Sequence, residues 1–180
     1  MYKRFLRLLA LLLTLAALVG CGAPAIERYA DTEPRLDIAD YFQGQTRAWG
    51  MVQDYRGEVQ RRFTVTIEGC YDGQVLVLDE AFVFDDGETD RRVWTFERQD
   101  ATTWIGRASD VADPVTARQQ GHAFHMRYRL PIEIDGREIT FTMDDWMFLQ
   151  PDRRLINRTA MRKFGLTLGE ITLVFEPLDD

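Results

Sequence analysis

Residues that build metal sites and disulfides are scarce in this chain. It has two cysteines, Cys21 and Cys70, and two histidines, His122 and His125. The histidines stand three positions apart in a segment that alternates like a strand, so their rings point to opposite faces and do not easily hold one ion. We therefore expect no metal site and no other cofactor.

An excess of positive charge is also lacking. The chain has 22 Lys and Arg residues against 29 Asp and Glu residues, and its net charge is −7 at pH 7. Loss of an N-terminal segment containing Lys3, Arg4 and Arg7 would make it more acidic still. A chain of this charge without a basic stripe is a poor partner for nucleic acid or for anionic lipid.

Apolar runs long enough to span a membrane as a helix are absent. Residues 8–19 are apolar or small apart from Thr14, a run of about a dozen residues against the roughly 20 that a spanning helix needs. The basic residues before this short run are typical of a secretory signal. A short uncleaved anchor or a buried helix is the alternative interpretation.

The apolar run ends in Leu18-Val19-Gly20-Cys21, which resembles the lipobox of bacterial lipoproteins. The resemblance implies that residues 1–20 are a cleaved signal peptide and that Cys21 becomes the acylated first residue. Several acyl chains on one residue hold a protein firmly at a membrane. Gly22 replaces the aspartate that would retain a lipoprotein in the inner membrane. The expected location is the periplasmic face of the outer membrane.

Residues 21–41 contain two prolines, many charges and no clear period, which predicts a tether with a short helical turn near residues 36–41. Residues 42–178 form the predicted domain. Their apolar runs are short and are interrupted by dipeptides typical of tight hairpin turns. These are Arg56-Gly57, Asp72-Gly73, Asp86-Gly87, Asp135-Gly136 and Leu168-Gly169.

The segments between these turns alternate with a period of two. In residues 61–69, Phe63, Val65 and Ile67 share one face and polar residues share the other, which is typical of a half-exposed strand. No helical stripe or long crossover appears, so we predict an all-β fold, a single antiparallel meander. Closure or near closure into a β-barrel would remove its apolar edges and leave an interior that is filled or holds one small ligand.

Aromatic residues are numerous enough to suggest an apolar ligand site, although any single ring could instead fill the barrel. The candidate ligand-binding residues are Trp49, Trp94, Trp104, Arg107, Arg127, Trp146, Asn157 and Arg158. Asp144 and Asp145 are candidate acids or bases, since one of two neighbours on a strand points inward. An inward arginine could bind a carboxylate or phosphate, and candidates also include Arg91 and Arg92. Cys70 stands at a strand end and is predicted to be small and half-buried.

An ordered set of motifs resembles a family of bacterial lipoproteins known as a domain of unknown function, number 3833. The motifs are WGMVQDYRGEVQRRF at 49–63, LDEAFVFDDGETDRRVW at 78–94, DDWMFLQPDRRLINRTAMRKFG at 144–165 and GEITLVF at 169–175. The resemblance implies a lipid-anchored periplasmic domain of lipocalin-like character. It transfers no catalytic role, so an enzyme is the less favoured reading.

Three functional hypotheses follow from these observations. The leading one is an envelope lipoprotein whose barrel binds a lipid, a fatty-acid-like molecule or another elongated apolar ligand. The second is an enzyme that acts on a lipid-derived substrate with Asp144 or Asp145 and an arginine. The third is a solid barrel that presents a surface to an envelope protein, whose identity the sequence does not give.

Overall fold

Ten β-strands form one closed antiparallel barrel in the computed structural model, which describes residues 25–134 and 136–178. The strands are β1 (Gly44–Asp54), β2 (Val59–Tyr71), β3 (Val75–Phe84), β4 (Thr89–Arg98), β5 (Thr103–Ala108), β6 (Val115–Gln120), β7 (Ala123–Ile134), β8 (Arg137–Leu149), β9 (Leu155–Lys163) and β10 (Leu166–Pro177). Each strand pairs with the next, and β1 also pairs with β10. The predicted all-β meander and its closure are confirmed.

The period-two pattern determines which side chains fill the barrel. In β2, Phe63, Val65 and Ile67 are buried, whereas Thr64 and Thr66 between them are exposed. The same alternation places Trp94 and Phe96 of β4 inside, where their rings stack with centroids 5.2 Å apart. Burial of these large side chains is the main source of stability in a chain that has no disulfide among its described residues.

Four of the predicted turn glycines lie between paired strands with positive φ. They are Gly57, Gly73, Gly87 and Gly136. A hairpin of two to four residues needs such angles, which glycine adopts without a steric penalty. The local sequence therefore predicts the positions of these four hairpins correctly.

The predicted turn at Leu168-Gly169 is wrong. Both residues lie inside β10, and the turn between β9 and β10 is at Phe164-Gly165, with φ of 52° and 80°. A Cβ atom on Gly169 would lie 2.8 Å from the carbonyl oxygen of Gln53. Gly169 therefore permits the close approach of β1 to β10 and does not form a turn.

One end of the barrel, here called the helix end, is covered by the short helix α1 (Ile38–Phe42). The Tyr41 hydroxyl donates a hydrogen bond to the carbonyl oxygen of Phe175 at 3.1 Å. The Phe42 and Phe175 ring centroids are 5.6 Å apart. A Cβ atom on Gly69 would lie 1.6 Å from the Phe42 carbonyl oxygen, so this glycine lets α1 lie directly on β2.

Residues 25–41, which the composition assigned to a tether, lie against the barrel. A 3-10 helix (Ile26–Tyr29) packs on its outside, where Ile26 is buried with Ala123 and Trp146. Farther along, the Leu36 amide donates to the Gly121 carbonyl oxygen at 2.8 Å. The helix α1 overlaps the helical turn predicted near residues 36–41. Residues 1–24, with the signal segment and Cys21, lie outside the described residues.

The opposite end, here called the loop end, consists of the turns at residues 55–58, 85–88 and 164–165, the turn at Gly136 and the loop at residues 109–114. Inward apolar side chains near this end are only partly buried. They are Val52, Phe82, Phe84, Ile132, Ile139 and Ile171. Neither helix in the described part of the chain is long and apolar enough to cross a membrane.

Candidate functional site

Polar side chains project into the middle of the barrel from both walls. Five of them stand at inward positions of β3, β4, β7, β8 and β9, because each has the same strand parity as buried apolar neighbours. The sixth lies on the loop after β5. These residues, called the lumen cluster below, are Glu80, Arg92, Asp110, Tyr128, Asp145 and Asn157.

Asp145 and Asn157 form the most deeply buried part of the lumen cluster. The Asn157 side-chain amide donates to an Asp145 oxygen at 2.5 Å and to the Trp146 carbonyl oxygen at 3.0 Å. The two side chains are 5% and 2% exposed. Burial raises the pKa of Asp145 to about 7, although hydrogen bonds from Thr159 and Asn157 act in the opposite direction.

Arg92 and Asp110 form an ion pair on the loop side of the cluster. The Arg92 Nε and Nη2 atoms lie 2.8 and 2.6 Å from the Asp110 Oδ2 atom. The other carboxylate oxygen, Asp110 Oδ1, is buried and accepts no hydrogen bond from any described residue. The side chains are 20% and 37% exposed, so solvent reaches this pair.

Glu80 is the least satisfied member of the cluster. It stands opposite Arg92 in the β3–β4 register, but among the described residues its carboxylate makes neither a hydrogen bond nor an ion pair. It lies deep in the barrel yet keeps some accessible surface. Burial raises its pKa to about 7, against the attraction of Arg92 and with the repulsion of Asp145.

Tyr128 faces Glu80 and Arg92 from β7. Its ring centroid lies 5.4 Å from that of Trp94, and the residue is 8% exposed. No described side chain or backbone group hydrogen-bonds its hydroxyl, and burial together with the charge of Asp145 raises its pKa. The hydroxyl is not among the buried side-chain atoms that lack a partner, so it keeps accessible surface and is open to water or to a bound molecule.

Three carboxyl groups and one guanidinium group therefore share the lumen. Across residues 25–134 and 136–178, no three His, Cys, Asp or Glu side chains converge as metal ligands would. Carboxyls held near neutral pKa can take up or release a proton, and they accept hydrogen bonds from a ligand.

Asp144, the other candidate acid, lies on the outer face. Its carboxylate is 3% exposed and lies 2.9 Å from His125, 2.9 Å from Arg127 and 3.3 Å from Arg162. Desolvation acts to raise the pKa of Asp144, but the hydrogen bonds from His125 and Arg127 outweigh it and lower the pKa. This network joins β7, β8 and β9 and has the character of a structural ion-pair cluster.

The predicted ligand-binding residues divide between the two faces of the barrel wall. Trp94, Trp104 and Asn157 are inside, with exposures of 3%, 0% and 2%. The others lie on the outside and do not line the lumen. They are Trp49, Arg107, Arg127, Trp146 and Arg158. Of the arginines considered for an inward role, the structure places Arg92 in the lumen.

One further sequence expectation differs from the structure, and two members of the lumen cluster were not predicted. Cys70 is exposed and not half-buried, because it alternates with the inward residues Gly69 and Tyr71 at the end of β2. Tyr128 and Asp110, which complete the cluster, were not selected from the sequence. The parity of Tyr128 with Met126 and Leu130 is a signal for its inward orientation, but Asp110 lies on a loop and has no such signal.

An apolar groove of about 530 Å³ crosses the outside of β10, β1, β2 and β3. It is lined in part by Trp49, Met51, Val83 and Val174. Trp49 and Val83 are 44% and 51% exposed. The barrel wall separates these outward side chains from the lumen cluster.

Comparison with known proteins gives a family match and a similar solved structure. The family described as "Protein of unknown function (DUF3833)" matches residues 15–177. A search of curated proteins gives no match. Among solved structures, the S-type phycobiliprotein lyase CPES from Guillardia theta is similar, with 8% identity and a TM-score of 0.56 over 87% of this chain and 99% of that one. This likeness shows a shared lipocalin-like barrel fold.

Proposed function

Since the chain belongs to the family described as "Protein of unknown function (DUF3833)", whose description carries no activity, we propose a function from the site: the barrel binds an elongated apolar small molecule. The molecule's polar end reaches the lumen cluster. The observation that carries this proposal is a set of polar groups inside the barrel without a hydrogen-bond partner among the described residues, including the buried Asp110 Oδ1 atom and the partly accessible Glu80 carboxylate, below half-buried apolar side chains at the loop end.

The strands themselves define an apolar route to the cluster. On β3, Phe82 and Phe84 follow Glu80 toward the loop end, and on β7, Ile132 lies beyond Tyr128 in the same direction. All three apolar side chains are partly buried. A hydrocarbon chain along this route would gain about 0.8 kcal/mol for each methylene group that it removes from water.

The polar groups of the lumen cluster that have no hydrogen-bond partner indicate that a ligand binds there. An unpaired buried polar group destabilises a fold by about 1–3 kcal/mol, so a barrel with only a structural role would have apolar or fully paired side chains here. The fold likeness to a phycobiliprotein lyase is compatible with a small-molecule site in such a barrel. We propose a binding protein and not an enzyme.

The N-terminal segment supports an envelope location. The basic residues, the short apolar run and the lipobox-like sequence before Cys21 support export, acylation of Cys21 and attachment to the periplasmic face of the outer membrane. A lipid or fatty-acid-like molecule would be abundant beside such a barrel.

Native mass spectrometry of the full-length chain, extracted from cell membranes in a non-ionic detergent, tests the binding function. We expect a small-molecule adduct whose mass is identified after solvent extraction. The variant Ile132→Trp, which fills the route inside the barrel, should reduce adduct occupancy by about tenfold, equivalent to about 1.4 kcal/mol.

The matched control is Glu133→Trp, which places the same ring at the next residue but on the exposed outer face. It should retain the adduct. An adduct that survives Ile132→Trp as well as Glu133→Trp, or the reproducible absence of any adduct, would contradict the proposal and favour a solid scaffold.

A further inference from the structure

The lumen cluster has a surplus of hydrogen-bond acceptors, which identifies the chemistry of the ligand's polar end. The buried Asp110 Oδ1 atom and the partly accessible Glu80 carboxylate accept no hydrogen bond from any described residue, and the Tyr128 hydroxyl, which can donate or accept, has no partner among them either. Carboxylate oxygens only accept, so each needs an N–H or O–H donor. This inference builds on the proposed binding function.

The cationic and amide groups in and near the lumen already have partners. The Arg92 guanidinium pairs with the Asp110 Oδ2 atom, and the Asn157 amide donates to Asp145 and to a backbone oxygen. Closer to the loop end, Arg61 pairs with Asp86 at 2.8 Å and with Glu88 at 2.6 Å, while its Nε atom is buried without a hydrogen-bond partner among the described residues. Each of these guanidinium groups is therefore balanced by a carboxylate before a ligand binds.

Formal charge leads to the same conclusion. Above about pH 7, where Glu80 and Asp145 are ionised, the three carboxyl groups of the lumen carry more negative charge than Arg92 neutralises. A carboxylate or phosphate entering beside Glu80 would add a like charge at low effective dielectric, whereas a cation would supply the missing neutralisation. Trp94 and Tyr128 add π faces that attract a cation at the same place.

We propose that the polar end of the ligand is a cationic hydrogen-bond donor of the ammonium class, and that the Glu80 carboxylate binds it, with Tyr128 and Asp110 beside it. A fatty acid is thus the disfavoured ligand, although the presence of an inward arginine would by itself favour one. The Arg92 guanidinium is already paired with the Asp110 carboxylate.

Three probes with the same alkyl chain and different ends test this assignment: dodecylamine, dodecanol and dodecanoic acid. Their binding to the full-length chain in non-ionic detergent is titrated by native mass spectrometry at about pH 8, above the pKa of Glu80 of about 7. Each affinity is expressed as the ratio of wild type to variant, which cancels partition of the probe into micelles.

The variant Glu80→Gln should weaken dodecylamine binding by about tenfold or more, since it removes the charge of the acceptor and keeps its shape. It should leave dodecanol binding nearly unchanged and strengthen dodecanoic acid binding. The control Asp79→Asn, at the neighbouring outward position that pairs with Arg91, should change none of the three ratios.

The outcomes separate this inference from the binding function. Equal dodecylamine affinity in wild type and Glu80→Gln, or a dodecanoic acid affinity that Glu80→Gln weakens, would overturn the ammonium assignment and leave the binding function in place. Failure of all three probes to bind would overturn both.

Discussion

At the scale of single residues, neighbouring acids in this chain have opposite surroundings. Asp144 lies in an outer network of His125, Arg127 and Arg162 that lowers its pKa, whereas Asp145 lies in the lumen with a pKa raised to about 7. Asp79 and Glu80 repeat the contrast on β3. Strand parity alone separates an acid that pairs with outward basic side chains from one that is enclosed in the lumen.

The raised pKa values predict how stability depends on pH. In the folded barrel Glu80 and Asp145 hold protons up to about pH 7, whereas the unfolded chain releases them near pH 4. The native state therefore binds more protons between these values. The free energy of unfolding should fall as the pH rises from about 5 to about 8.

The variant Glu80→Gln should reduce the loss of unfolding free energy between about pH 5 and about pH 8 by roughly 1–3 kcal/mol. Urea unfolding at both pH values measures this change. Burial is the largest cause of the raised pKa of Glu80, and the charged neighbours that modify it are Arg92, Asp145, Asp110 and Asp79. The control Asp79→Asn should keep the full fall, because the hydrogen bond from Arg91 lowers the pKa of Asp79 and moves its titration to acidic pH. An unchanged pH dependence in Glu80→Gln would contradict the burial of its charge.

At the scale of elements, α1 is too short to be stable alone and is held by the barrel. Asp37 caps it by accepting from the Ala39 amide at 2.9 Å, and both its oxygens lie 2.7 Å from Arg98 Nη2. The Arg98 guanidinium also lies 4.1 Å from the Trp104 ring centroid. One aspartate thus joins the cover of the helix end to β4.

Two substitutions at Asp37 separate its two roles. Asp37→Ala, which removes cap and ion pair, should lower the free energy of unfolding by about 1–3 kcal/mol, and Asp37→Asn should lower it less because asparagine is also a good cap. Urea unfolding measures both. Arg35→Ala breaks an exposed pair with Glu33 and should change stability by less than about 0.5 kcal/mol. Equal losses in Asp37→Ala and Asp37→Asn would show that the cap contributes nothing.

At the scale of the whole molecule, the packed 3-10 helix shortens any free connection between barrel and membrane. Ile26 is fixed on the outside of the barrel, so only residues 21–25 remain to connect it with an acylated Cys21. A chain of that length spans at most about 18 Å. If an acylated Cys21 anchors the protein as proposed, the barrel would lie against the bilayer surface.

The proposed acylation predicts the number of free thiols in the mature protein. Cys70 is exposed and should react with a maleimide in the folded, reduced chain. The variant Cys70→Ser, extracted from membranes, reduced and denatured, should have no free thiol, because Cys21 would carry a thioether. Incorporation of labelled palmitate into wild type and its loss in Cys21→Ser would be the accompanying result. A reactive thiol in Cys70→Ser without palmitate labelling would contradict the proposed anchoring.

Local pattern predicted most of the architecture because strands and tight turns are set by near neighbours. The alternation around Phe63, Val65 and Ile67 fixed their common face, and four turn glycines marked their hairpins correctly. The local sequence pattern failed at two places. Gly169 is in β10 because of the close approach of β1, and β6 (Val115–Gln120) has too few apolar residues for recognition from alternation.

The amino-acid sequence by itself determined the strands, most of the turns and the presence of two alternating faces, since these depend on residues a few positions apart. It did not determine which face of residues 143–146 is inside, because Met143 packs in the lumen and Trp146 is covered on the outside by Ile26. Only closure of the barrel brought Glu80 and Arg92 of one wall near Tyr128 and Asp145 of the other. Such contacts depend on strand number and register around the whole circumference, which no short segment encodes.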